Sequence, residues 1–145
     1  MNKTIFNKFK NQKGKISKTE LDTFFDGLDP VEISEMIGKW KGGFFPTGSG
    51  LEILLKDFIL FKWHGKYLLN KNNVKAVIFN VLGLKFNIPF CTAVLRKVEF
   101  RDKISTSLIY NYLPIIDNFR RVDEKTLMGV MEIKGRANLY FYLIK

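Results

Sequence analysis

Short runs that alternate apolar and polar residues fill the chain from Val74 onward, with tight turns between them. This period of two is typical of antiparallel strands joined in succession. Strands are predicted near residues 74–82, 84–88, 92–100, 104–112, 115–122, 126–134 and 138–144. Closure into a barrel would remove the exposed edges of so many consecutive strands. The predicted fold is mainly β, an antiparallel β-barrel with short N-terminal helices.

A helical pattern precedes these strands. Ser17 and Glu20 have the spacing of a capping box, which predicts that a helix begins after Ser17. Asp29 and Pro30 suit the cap and the first position of a second helix. Gly38 suits the left-handed residue that ends it.

The stretch between these helices and the strand-rich part is less regular. Residues 39–45 are expected to be extended, and the apolar spacing within 51–58 predicts a short helix. Gly65 is expected to mark a turn. The pattern therefore predicts the change from helix to sheet within this stretch.

Charge is concentrated at the start of the chain. The chain has 145 residues and a net charge of +10, and five lysines with no acidic residue lie in residues 1–15. We expect a basic flexible arm there, either a solvated terminus or an amphipathic turn on an anionic surface. Residues 16–145 are expected to form one domain, with a first part at 16–72 and a C-terminal β part at 73–145. The five lysines are Lys3, Lys8, Lys10, Lys13 and Lys15.

Residue types limit the chemistry that the chain offers. There is one cysteine, Cys91, and one histidine, His64. No intrachain disulfide can form, and no zinc set or catalytic triad is evident. No stretch approaches the roughly 20 apolar residues of a membrane span. We therefore expect a cytoplasmic protein with no metal, no cofactor and no catalytic residue.

Several motifs resemble a known family. GKWKG at 38–42 with FPTG at 45–48 resembles the GXWXG protein family, and WHGK at 63–66 resembles that family's second aromatic–glycine element. Residues 110–123, with 128–131 after them, resemble the C-terminal domain of unknown function that accompanies GXWXG. This resemblance names a family and implies little biochemistry.

A looser resemblance is to the calycin barrels, the lipocalins and fatty-acid-binding proteins. Those barrels begin with a Gly-x-Trp element whose ring closes one end, and Trp40 stands in such an element here. The resemblance implies a calycin-like barrel and, being one of fold, carries no function.

Arg96 is the charged residue of greatest interest for binding. By strict alternation it shares the apolar face of Val94, Val98 and Phe100, which we interpret as the barrel interior. A buried guanidinium needs a partner, and a ligand carboxylate or phosphate would serve. Stacking on Trp40, an internal acidic partner, or a bulge that turns it outward are the alternatives.

The remaining candidates lie on the later strands. Asp117 and Arg121 share one face, so that one of Arg120 and Arg121 points inward and one outward. An internal ion pair of Asp117 with Arg121 or Arg96 is the structural alternative to a role in binding. The candidate ligand-binding residues are Trp40, Arg96, Tyr110, Tyr112, Arg120 and Arg121.

Three functions follow from these observations. The first is an intracellular binding module that holds a hydrophobic or amphipathic anionic molecule, such as a fatty acid or other lipid, inside the barrel. The second is binding of nucleic acid or an anionic membrane surface through the N-terminal lysines. An enzyme ranks last, because no positioned acid–base pair is evident. The oligomeric state is left open.

Overall fold

The computed structural model describes residues 1–50, 52 and 63–145. Within these residues the chain forms three helices and nine strands. The helices are α1 (Asn2–Asn11), α2 (Lys18–Gly27) and α3 (Ile33–Met36). The strands are β1 (Gly38–Phe45), β2 (Trp63–Asn70), β3 (Asn73–Val81), β4 (Leu84–Asn87), β5 (Thr92–Phe100), β6 (Lys103–Tyr110), β7 (Ile115–Asp123), β8 (Thr126–Ile133) and β9 (Arg136–Ile144).

Eight of these strands close into an antiparallel barrel. The order around the barrel is β1, β2, β3, β5, β6, β7, β8 and β9, and β9 pairs again with β1. The short strand β4 pairs with the second half of β3 and extends one wall. The predicted fold, an antiparallel β-barrel with short N-terminal helices and a calycin-like closure, is confirmed.

The sequence pattern did not predict the strand β2. Gly65 lies inside β2, opposite Lys41, and the predicted turn at Gly65 is wrong. Alternation fails there because β2 carries a buried glycine followed by the buried Lys66. The helix predicted over 51–58 lies outside the described residues.

The N-terminal segment packs on the barrel. Residues that we expected to form a flexible arm form α1, and the Phe6 and Phe9 side chains are buried. The Lys3 ammonium lies 3.0 Å from a carboxylate oxygen of Asp123 at the end of β7. None of the described helices has the length and apolar character needed to cross a membrane. Burial of the two rings gives α1 its place on the barrel.

Capping signals predicted two helix starts, of which the first is correct and the second, that of α3, lies later in the chain. The cap of α2 is as predicted, because the backbone N–H of Glu20 donates to Ser17 Oγ at 3.4 Å. Asp29, however, forms a β-bridge with Arg121, and the cap of α3 is Glu32. Pairing with the barrel therefore prevails over the local preference of Asp29 and Pro30 for a helix start.

Two apolar cores lie on the two sides of the sheet. The interior core is formed by inward side chains of the barrel strands, with Val31 and Met36 covering one end. The outer core lies between the barrel wall and the helices α1 and α2, and includes Phe25, Phe45 and Tyr140. Strands with apolar residues on both faces follow from this arrangement.

Trp40 closes the covered end of the barrel. Its side chain is 1% exposed, and the indole Nε1–H donates to the carbonyl of Met36 at 2.7 Å. The Lys145 ammonium lies 4.9 Å from the centre of the Trp40 ring. Gly38, which we expected to end a helix, is instead the first residue of β1. Its φ of +136° is one that glycine adopts readily. The structural role expected for Trp40 follows from these contacts.

Gly65 allows β1 and β2 to approach at this tryptophan. A Cβ atom at Gly65 would lie 1.8 Å from the carbonyl oxygen of Trp40. That oxygen belongs to the backbone of a paired strand, so neither partner can move without breaking the ladder.

We therefore expect Gly65→Ala to destabilise the barrel by more than about 3 kcal/mol, beyond the usual cost of overpacking. Gly27→Ala is the matched control, because no atom outside its chain neighbours and its own helix backbone lies within 4 Å of a Cβ at that position. Equilibrium urea unfolding of the two variants measures the difference. Equal stability of the two variants would contradict the proposed role of the close approach.

Candidate ligand-binding cavity

A cavity of about 460 Å³ occupies the barrel at the end away from Trp40. Its walls come from β1, β2, β3, β6, β7, β8 and β9 and from the segments that precede β5 and β7. Three polar residues line it: Lys66, Tyr110 and Asp117. The other lining residues are Phe44, Trp63, Val77, Phe79, Ile88, Phe90, Cys91, Leu113, Ile115, Met131, Ile133, Leu139 and Phe141.

Glycines make room for the aromatic rings of the wall. The Trp63 ring lies over Gly42, where a Cβ atom would come within 2.1 Å of it. The Trp63 ring also packs on Phe44, with 4.9 Å between ring centres. The second glycine of the GKWKG motif, Gly42, therefore lets β2 place an indole in the cavity wall.

A buried ion pair forms the polar part of the cavity. The Lys66 ammonium lies 2.9 Å from Asp117 Oδ2, and the two side chains are 4% and 1% exposed. Lys66 Nζ also donates to the hydroxyl of Tyr110 at 3.1 Å and to the carbonyl of Ala76 at 2.9 Å. A lysine ammonium has three N–H donors, and these three contacts use all of them.

Aromatic faces surround the same ammonium. Lys66 Nζ lies 5.6 Å from the centre of the Trp63 ring, 5.5 Å from that of Tyr110 and 5.4 Å from that of Phe141. Ring faces attract a cation electrostatically. They offset part of the cost of removing Lys66 from water, and they hold it beside Asp117.

In the described part of the chain, only one of the two carboxylate oxygens of Asp117 has hydrogen-bond donors. Its Oδ2 atom accepts hydrogen bonds from Lys66 and, at 3.2 Å, from the hydroxyl of Tyr110. Its Oδ1 atom is buried and has no hydrogen-bond donor among the described residues. Asp117 lines the cavity, so a small shift of the side chains that cover Oδ1 would bring an unsatisfied acceptor to a molecule inside the barrel.

Burial keeps the two other ionisable groups of the cavity neutral. Burial, and next the charge of Asp117, raise the pKa of the Tyr110 hydroxyl well above its usual value. Burial raises the pKa of the Cys91 thiol, and the charge of Lys66 opposes this in part. At neutral pH the phenol is a donor and the thiol is protonated. The cavity thus carries one positive and one negative charge.

Tyr110 is the one candidate from the sequence that lies in the cavity. Trp40 closes the opposite end of the barrel and does not line it. Tyr112 lies beyond the end of β6 and is 73% exposed. The run of alternating residues that predicted a longer strand ends at Tyr110, because residues 111–114 turn toward β7.

Arg96 points away from the interior, contrary to our interpretation of its strand. β5 places Ala93 and Leu95 in the interior core, so that Arg96 is exposed on the other face. Its guanidinium donates to the carbonyls of Leu95 and Lys71, at 2.7 and 3.1 Å. The alternation was correct and the choice of the inward face was wrong.

Arg120 and Arg121 do face opposite sides, as predicted, yet neither lines the cavity. Arg120 is buried outside the barrel under α2, where it donates to the carbonyls of Phe25 and Phe100 at 3.3 and 2.8 Å. Arg121 lies near the covered end and donates to Glu35 at 2.7 Å. Both have structural partners in the N-terminal segments.

Lys66 is the charged cavity residue that the sequence interpretation missed. The WHGK motif contains it, but a lysine in a predicted turn indicates exposure. Asp117 was expected to pair with an arginine, and its partner is this lysine. Within the described part of the chain, no group of three potential metal-ligating side chains was found.

The fold and the cavity define the class of protein, which is a small, closed, eight-stranded antiparallel β-barrel with an apolar internal cavity. Residues 23–81 match the family model of the GXWXG protein, and residues 91–145 match the Domain of unknown function (DUF4334). The chain therefore matches the GXWXG model and the model of this domain of unknown function one after the other, in agreement with the resemblance of its motifs.

The fold also has a counterpart among solved structures. The crystal structure of a protein from Thermomonospora curvata is 29% identical, covers 99% of this chain and 97% of that chain, and has a TM-score of 0.87. No curated protein matches the sequence. The similarity supports the closed barrel as the architecture of both proteins.

Removing only the lysine of the buried pair should be costly. We expect Lys66→Met to destabilise the protein by about 3–5 kcal/mol, because it leaves the Asp117 charge buried without its cation. The double variant with Asp117→Leu should recover most of this loss, since buried pairs can often be replaced by apolar residues. Urea unfolding of the single and double variants measures both effects.

The control is Lys97→Met, which removes a lysine from the exposed pair with Glu32 (2.7 Å). It should cost less than about 1 kcal/mol. A Lys66→Met loss no larger than that of the control would show that the pair is not desolvated as the structure has it.

Proposed function

We propose that this protein binds a hydrophobic small molecule, such as a lipid, inside its β-barrel. The observation that carries the proposal is the cavity of about 460 Å³, lined by apolar side chains except at Lys66, Tyr110 and Asp117. Its volume falls in the range of roughly 300–1,000 Å³ that is usual for small-molecule sites. A solid barrel core would leave no such space.

The construction of the barrel supports the same function. Trp40 and Met36 close one end, so the cavity is a blind pocket and does not continue as a channel. A ligand that covers the aromatic and aliphatic walls removes their apolar surface from water, which stabilises the complex by about 25 cal/mol per Å². The arginines that we expected to receive an anionic head group lie elsewhere, so the apolar part of the ligand carries the proposal.

Filling the cavity should abolish binding. Val77 lines the cavity on β3, whereas Val94 lies on the outer face of β5. We expect Val77→Trp to lose binding of Nile red, a neutral hydrophobic dye, and Val94→Trp to retain it. Dye fluorescence with the two purified variants, and native mass spectrometry of the wild type with a total lipid extract, measure the effect. Equal dye binding by the two variants, or no lipid adduct on the wild type, would count against the proposal.

Cys91 offers a second measurement, because it is the single cysteine and lines the cavity. Its raised pKa makes the reactive thiolate scarce at neutral pH, so alkylation should be slower than for an ordinary thiol. The rate should continue to rise with pH above the usual thiol pKa. A bound hydrophobic molecule should slow alkylation further, as followed by intact-mass analysis. A rate that is insensitive to the dye would mean that the dye binds elsewhere.

A further inference from the structure

The unpartnered oxygen of Asp117 indicates what kind of ligand the cavity accepts. We infer that the preferred ligand is an uncharged, largely apolar molecule whose polar group donates a hydrogen bond, such as a long-chain alcohol, to Asp117 Oδ1. This inference rests on the proposed function and specifies its ligand class. Of the two kinds of ligand expected from the sequence, it keeps the hydrophobic molecule and excludes the amphipathic anion.

The hydrogen-bond donors of the polar cluster at Lys66, Tyr110 and Asp117 are all in use. Lys66 uses its three N–H donors on Ala76, Tyr110 and Asp117 Oδ2. Tyr110 donates its hydroxyl hydrogen to Asp117 Oδ2. The polar cluster therefore offers a molecule in the cavity no free strong donor. What the cluster leaves unsatisfied is one acceptor, Asp117 Oδ1, on a side chain that is 1% exposed and that a small shift of its neighbours would open to the cavity.

The charges in the cavity disfavour an ionised ligand. Lys66 and Asp117 form one ion pair, and no other charged residue is among those that line the cavity in the described part of the chain. A carboxylate head group would lose its water and meet the free oxygen of another carboxylate, without a donor to offset this cost. An ammonium head group would meet Asp117 but lie close to the Lys66 ammonium, which holds the neighbouring oxygen at 2.9 Å.

A hydroxyl avoids both penalties. It carries no net charge into the cavity, and it donates one hydrogen bond to an ionised acceptor that is otherwise unsatisfied. Hydrogen bonds to charged groups are among the stronger ones in proteins. The apolar walls then contact the hydrocarbon part of the same molecule.

A series of ligands with one hydrocarbon chain tests this on the wild-type protein. Dodecanol, its methyl ether, dodecanoate and dodecylammonium are titrated below their aggregation limits, at a pH where the acid and the amine are both ionised. Calorimetry gives the affinities. The ether keeps the oxygen and loses only the donor, so we expect its affinity to fall by about tenfold or more relative to the alcohol. Both ions should bind more weakly than the alcohol.

A substitution reverses the preference. Asp117→Asn keeps the shape of the side chain, can place an N–H donor toward the cavity, and leaves the Lys66 charge uncompensated. We expect it to weaken dodecanol binding and strengthen dodecanoate binding. Glu132→Gln is the matched control, because Glu132 accepts a hydrogen bond from Asn118 at 2.8 Å on the outer face of the barrel, and its order of affinities should be that of the wild type.

The outcomes separate the two proposals. If dodecanoate binds the wild type as well as dodecanol does, or the ether binds as well as the alcohol, the inference is overturned while the proposed binding function stands. If none of the four molecules binds, the proposed function itself fails. If Asp117→Asn does not fold, the comparison of alcohol and ether on the wild type decides the question alone.

Discussion

The close approach of β1 and β2 at Trp40 is the contact on which the rest of the structure depends. The carbonyl of Trp40 lies where a side chain at Gly65 would begin, so the two strands can meet only because that position is a glycine. Once they meet, the indole closes the barrel against Met36, and the next residue along β2, Lys66, is placed in the interior. Architecture and candidate chemistry thus originate at one point of the sheet.

The polar cluster of the cavity is expensive to maintain. A buried lysine and aspartate could be replaced by apolar residues with little or no loss of stability, and here one carboxylate oxygen also lacks a donor among the described residues. Unsatisfied groups of this kind are few in folded proteins, and each calls for a physical reason. The selection among hydrophobic ligands that we propose would be such a reason, because an apolar wall distinguishes molecules by shape alone.

The outer layer of the barrel has a different role. The N-terminal helices cover strands whose outer faces also carry apolar side chains, and Phe6 is fully buried there. Arg120 lies in this layer and joins the end of α2 to the turn after β5 through backbone carbonyls. The basic segment at the start of the chain is therefore in part a structural element. Its five lysines favoured an exposed arm, although Phe6 and Phe9 are buried against the barrel.

The sequence by itself determined the strands from β3 to β9, the cap of α2 at Ser17 and the family motifs, because these depend on periodicity and on neighbours within a few residues. Tertiary structure alone decided which face of each strand points inward. A period of two shows that Arg96, Val94 and Val98 lie together, but only pairing with the neighbouring strands shows that they lie outside. It also decided that Lys66 meets Asp117, since these residues come from strands on different parts of the closed sheet and no local pattern relates them.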